Sequence, residues 1–161
     1  MLRTDNEVRI TPSVLDRLLD YEPELSREPV TSRAKSLRQL KQSVKRDLEW
    51  LLNTRRTAEV VPPELKELND SLAVFGLPDF TTASVKNTSD QKMMRRALET
   101  AIRVFEPRLE DLVVTLEPMD SIERVMRFRI EARLKVEPAP EPITFDTVLQ
   151  LGSGQILVQE K

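Results

Sequence analysis

Met126-Arg127-Phe128-Arg129-Ile130-Glu131-Ala132-Arg133-Leu134-Lys135-Val136 sorts its side chains strictly: apolar at every even position, charged at every odd one. A period of two places the two sets on opposite faces of an extended chain, so the run reads as a half-buried antiparallel strand. Its charged face either meets water or docks on something acidic. On its C-terminal side, Phe145, Thr147, Leu149 and Leu151 repeat the alternation as a further strand. Pro138, Pro140 and Pro142 form a rigid connector between the two. Gly152-Ser153-Gly154 reads as a hairpin turn into a last strand over 155–159. On the N-terminal side, Leu112, Val114 and Leu116 alternate with Asp111, Val113 and Thr115, which makes about four strands.

Before Pro107 the period changes. Leu37, Leu40, Val44, Leu48, Leu51 and Leu52 fall at spacings of three and four, the single apolar stripe of a long helix that ends near Asn53-Thr54. Met94, Leu98, Ile102 and Phe105 make a second stripe, capped by Ser89-Asp90 and stopped by Pro107. Thr11-Pro12 opens a short helix through Leu19, and residues 21–32, with Pro23 and Pro29, read as an extended linker. Residues 64–75 read as a short helix ended by Gly76 and Pro78, and residues 80–89 as a loop. The expected architecture is α+β, with N-terminal helices packed on a C-terminal antiparallel sheet of about four strands. Residues 1–32 form an acidic arm with a short helix, and residues 33–161 a single α+β domain.

Composition removes most catalytic chemistry. The 161 residues include no His, no Cys and three Gly. That leaves no thiol nucleophile, disulfide, imidazole base or thiolate zinc site, and too little glycine for a phosphate-cradling loop. No cofactor or metal is implied. There is no apolar run of membrane-spanning length, and residues 1–6 lack the apolar core of a signal peptide, so no membrane insertion is expected. Of the carboxylates, Glu99 and Glu106 share a helix face but lie about 10 Å apart along it, with no aromatic platform for a sugar.

The net charge of −2 hides an asymmetry. Residues 5–28 hold seven acids and three bases, a net −4; residues 33–56 hold eight bases and two acids, a net +6. These are either an internal clasp or two docking surfaces of opposite sign. One Trp and one Tyr are little material for stacking bases, so a nucleic-acid partner is not expected. Two further features read as interaction sites. Glu106-Pro107-Arg108 holds a Glu and an Arg on a rigid turn between helix and strand. Ile156, Leu157 and Val158 end the sheet as an edge able to accept a strand, or simply as an edge blunted by Gln159, Glu160 and Lys161.

The run from Leu40 to Arg55, and within it Arg46-Asp47-Leu48-Glu49-Trp50-Leu51-Leu52-Asn53-Thr54-Arg55, resembles a long motif of the TssE family of type VI secretion baseplate proteins. Residues 71–79, the Glu106-Pro107-Arg108 corner and Phe145-Asp146-Thr147-Val148-Leu149 continue the resemblance in the same order. It implies kinship with the small wedge subunit of contractile phage baseplates, a structural family historically called lysozyme-like. It further implies a baseplate wedge shared with TssF, TssG and TssK on the cytoplasmic side of the inner membrane of a Gram-negative bacterium. The sheet would offer the first ring of sheath subunits, TssB and TssC, a template for strand pairing. Glu106 and Arg108 carry over as partner contacts, with Pro107 setting their geometry. In this reading the sheet edge, with Phe145, Asp146, Val148, Ile156 and Val158, nucleates the sheath, while the corner and the basic helix, with Arg46 and Arg55, anchor the wedge. The competing expectations are a peptidoglycan hydrolase using Glu99 or Glu106, and a chaperone-type or anti-sigma-like module with one soluble partner.

Overall fold

The structure is a computed structural model that describes residues 10–20, 23–24, 26, 32–57, 61–84, 86–117, 125–150 and 153–161. Its elements run α1 (Val14–Leu18), α2 (Arg33–Asn53), α3 (Lys66–Asn69), a 3-10 turn (Leu72–Val74), α4 (Thr88–Phe105), then β1 (Leu109–Leu116), β2 (Val125–Leu134), β3 (Glu141–Gln150) and β4 (Gln155–Glu160). The strands form one antiparallel meander in the order β1-β2-β3-β4. The expected α+β arrangement is therefore what the chain adopts.

Alternation decides which face is covered. Met126, Phe128, Ile130, Ala132 and Leu134 of β2 are buried together with Ile143, Phe145 and Leu149 of β3 and Ile156 and Val158 of β4. On them lie the stripes of α2 (Leu40, Val44, Leu48, Leu51, Leu52) and α4 (Met94, Leu98, Ala101, Ile102). α2 packs over β4 and α4 over β1, and the two helices touch each other between them. Each large side chain so buried contributes about 1.5–3 kcal/mol. Thr147, the polar residue of this face, donates its hydroxyl to the Phe128 carbonyl at 3.0 Å.

Several local expectations change. Pro142 lies inside β3, opposite Arg133, and not in a connector. Lys161 donates to the Thr144 carbonyl, so the main-chain groups of residues 142, 144 and 146 point to the β4 side. β4 ends at Glu160 and does not reach Pro142, so no ladder bond is lost there. The β1 alternation carries a bulge: the register slips between Glu110 and Val113, with Asp111 at φ 51°. The extra residue lets both Leu109 and Leu112 face the core. Asn87, not Ser89, caps α4, its Oδ1 accepting from the Ser89 amide at 2.9 Å, while Asp90 accepts from the Ser84 amide at 2.8 Å. Ser13, rather than Thr11, caps α1. Residues 64–75 split into α3 and the 3-10 turn, the latter capped by Ser71. Most of the expected 21–32 linker, and Leu151 and Gly152 of the hairpin, lie outside the described residues.

Candidate functional site

α4 stops because Pro107 has no amide to continue it; the Glu106 amide still donates to the Ile102 carbonyl at 2.8 Å. The Glu106 side chain turns inward and is 3% exposed. A buried carboxylate requires a counter-charge, and Arg108 supplies it in a fork, Nε to Oε1 at 2.6 Å and Nη2 to Oε2 at 2.5 Å. The same Nη2 reaches Asp47 Oδ2 on α2 at 2.5 Å. Asp47 in turn accepts from Arg46 Nε and Nη2 at 2.9 and 2.8 Å, and Arg46 Nη1 pairs with Asp16 of α1 at 2.9 Å. Five charges of alternating sign thus run Glu106, Arg108, Asp47, Arg46, Asp16, tying α1, α2 and the α4–β1 turn together. The Arg46 guanidinium also lies 5.8 Å from the Trp50 ring, a cation–π contact on a side chain that is otherwise 58% exposed.

Charge state follows from these contacts. Burial works against the Arg108 cation, but its bonds and attraction to Glu106 and Asp47 outweigh burial and lift its pKa further above the ordinary arginine value. Burial likewise opposes the Arg46 charge, and Asp47 and Asp16 reverse that. Burial raises the Asp16 pKa, yet hydrogen bonds from Ser13, Ser43 and Arg46 leave it below the usual aspartate value.

This geometry corrects the expected role of the corner. Both Glu106 oxygens are spent on Arg108, so Glu106 offers nothing directly to a partner; it positions Arg108. The acidic arm and basic helix meet at Asp16–Arg46 as an internal clasp. Asp47 and Asp16 were not singled out from the sequence. The available signal was the adjacent Arg46-Asp47 pair beside buried Ser43, Val44 and Leu48 on α2.

The C-terminal end of α2 is a second junction. Asn53 Nδ2 donates to the Ile156 carbonyl and Asn53 Oδ1 accepts from the Ile156 amide, both at 2.8 Å. The Thr54 carbonyl accepts from the Leu77 amide at 2.8 Å, and the Arg56 amide donates back to the Leu77 carbonyl at 3.0 Å. Gly76 makes this approach possible: its φ is +104°, and a Cβ there would overlap the Thr54 carbonyl oxygen. Arg55 pairs with Asp79 at 2.8 Å and lies against Gly154 in the β3–β4 hairpin. Residues 53–56 therefore join α2, the 72–79 segment and the last hairpin.

The sheet edge is narrower than the sequence suggested. β3 is bonded on both sides, so Phe145, Asp146 and Val148 have no main chain to offer, and Phe145 is fully buried in the core. β4 is the edge. Ile156 and Val158 face the core with their side chains, while their amides and carbonyls point away from β3. On the open face of the sheet, Arg129 pairs with Asp146 at 3.1 Å and with Glu117, and Arg133 with Glu110 at 3.4 Å and with Asp111. The acids that meet the charged face of β2 come from β3, from β1 and from Glu117 just past its end.

The hydrolase candidates are also engaged. Glu99 holds Arg95 at 3.0 Å and Arg103 at 2.7 Å, one on each oxygen, and Glu106 holds Arg108. A general acid must present a free carboxyl to a leaving group, which neither residue does here. Among the described residues no helix is long and apolar enough to cross a membrane.

A family model described as baseplate wedge protein gp25 matches residues 38–139. No protein of curated function matches the chain. Among solved structures, a Geobacter sulfurreducens protein provisionally described as a tail lysozyme aligns over 74% of this chain and 94% of its own, at 20% identity and a TM-score of 0.46.

Proposed function

This chain belongs to the baseplate wedge protein gp25 family, a family of baseplate structural proteins, and on that premise we propose that it joins a type VI secretion baseplate to its contractile sheath. In this reading it is a TssE-type subunit. It sits with TssF, TssG and TssK in a wedge on the cytoplasmic side of the inner membrane, and it starts the TssB/TssC sheath by strand pairing. The observation that carries the reading is the β4 edge. Lys161 bonds to Thr144, so residues 155, 157, 159 and 161 face β3, and the main-chain groups of 156, 158 and 160 face outward. The outward groups of Val158 and Glu160 meet no protein partner among the described residues. Main-chain pairing suits a directional assembly, since each bond contributes only about 0.5–1.5 kcal/mol and the register comes from the pleat.

Glu160→Pro tests this against Glu160→Ala. A proline at this position removes an outward donor and breaks no β3 bond. The proline variant should fold and join the wedge, while sheath assembly falls about tenfold or more. Normal sheath assembly by a folded Glu160→Pro chain would overturn the reading, as would peptidoglycan cleavage that disappears with Glu99→Gln.

Wedge anchoring falls to the exposed remainder of the Arg108 corner, to the outer face of the basic helix and to Arg55 just past its end, since the Arg46 nitrogens are engaged by Asp47 and Asp16. Arg108→Glu is a poor probe of anchoring because it strands buried Glu106. Arg55→Glu, read by co-purification with TssF and TssG, leaves the core intact.

A further inference from the structure

We propose that Asn53 guards the β4 edge: its side-chain amide stands in for a neighbouring strand at Ile156 and so fixes where an added strand can begin. The inference rests on the reading of β4 as a strand-accepting edge. An antiparallel neighbour would give Ile156 one donor and one acceptor from a single residue. Asn53 gives both, each at 2.8 Å, from the last residue of α2. Nδ2 also donates to the Glu49 carbonyl at 2.8 Å, which holds the amide in the orientation the mimicry needs. At the far end of the edge, Lys41 of α2 meets Glu160 at 3.6 Å, so the helix lies along β4 and touches it at both ends. Of the three outward positions on β4, Ile156 is occupied, and Val158 and Glu160 are open among the described residues.

The consequence concerns register. A strand that slips by one residue turns its apolar face to water, so the pleat itself forbids that error. A slip by two residues keeps every side chain on its proper face, and the pleat does not resist it. Asn53 does, because a strand shifted toward Ile156 must first displace two good hydrogen bonds. The occupant that fits is an extended partner segment paired at Val158 and Glu160. Where it runs beside the 43%-exposed Leu157, it would carry an apolar side chain on the open face. In the free chain the same guard shortens the edge available to a second copy, a recognised route to unwanted pairing.

The test uses the full chain. Amide exchange is measured at Ile156, with Leu157, whose amide faces β3, as the internal control for folding. Asn53→Ala should raise exchange at Ile156 about tenfold and leave Leu157 unchanged. Asn53→Asp, which keeps the acceptor and loses the donor, should act in between. Sedimentation of Asn53→Ala should show concentration-dependent self-association that Glu160→Pro suppresses. Unchanged protection at Ile156 overturns the guard, whatever the edge does. Raised exchange in a chain that stays monomeric also overturns it, because Asn53 would then only satisfy a local pair. The strand-accepting edge itself stands or falls separately, on sheath assembly by Glu160→Pro.

Discussion

α2 is held to the rest of the molecule at two places that work by different physics. Near its middle, Arg46 and Asp47 sit in a chain of five alternating charges that ends on buried Glu106. At its C-terminal end, Asn53 and Thr54 use neutral amide and carbonyl groups to grip Ile156 and Leu77. The charged junction is strong only while every member is present, since removing one leaves its neighbour desolvated and unpaired. The neutral junction depends instead on close backbone approach. It does not respond to pH, and its parts fail separately.

The largest effect should come from the charged side. Arg108→Ala should cost about 3–5 kcal/mol in urea denaturation, because Glu106 stays buried without a counter-charge. Glu106→Leu combined with Arg108→Met should regain much of that. A double variant no better than Arg108→Ala would show that the corner acts by some means other than pairing. Gly76→Ala attacks the neutral junction through geometry, combining a positive φ with a clash on the Thr54 carbonyl. About 1–3 kcal/mol should be lost, equally at pH 4 and pH 7. A pH-dependent loss would blur the distinction between the two junctions.

Acid should separate them further. The Asp16 pKa is lower in the folded chain than in the unfolded one, so the unfolded state binds more protons as pH falls past the ordinary aspartate value of 3.8. The stability from Asp16 is therefore complete above that value and lost as pH drops through the folded one. Asp16→Asn should flatten that part of the stability–pH curve, and an unchanged curve would remove Asp16 from the charged chain. The smallest effect belongs to Arg55→Ala, whose exposed, solvent-screened pair with Asp79 should shift the midpoint of the same denaturation assay little or not at all. A larger shift would mean that the contact with Gly154, not the ion pair, holds the hairpin.

Elements with a strong period were legible from sequence. The Met126–Val136 alternation and the Leu40–Leu52 stripe each specify a face, and packing follows. What escaped was decided by tertiary partners. Pro142 could enter a strand only because β4 stops short of it. Asp111 could sit at positive φ only because a bulge there brings Leu109 to the core. Glu106 read as a surface contact because nothing local reveals that Asp47, 59 positions earlier, completes its environment. The Asp16–Arg46 pair was legible as one of two readings of the acidic arm and basic helix, an internal clasp, whereas the pairing of Arg55 with Asp79 was not legible at all. The baseplate wedge resemblance, by contrast, was carried by residues 40–55, 71–79, 106–108 and 145–149, of which all but the last fall within the segment the family model matches.

The span between Asn53 and Ile156, 103 positions apart, has a kinetic side. The four strands are neighbours in sequence, so each hairpin closes a short loop and the meander forms from local contacts. The helix that grips the last strand must be brought in across the length of the domain, a closure with a larger entropic cost. Contact order therefore predicts a sheet that forms with its β4 edge still bare, an order that pulse-labelled amide exchange at Ile156 against β2 would check. In such an interval the chain would be most exposed to pairing with another copy of itself, for as long as α2 takes to dock.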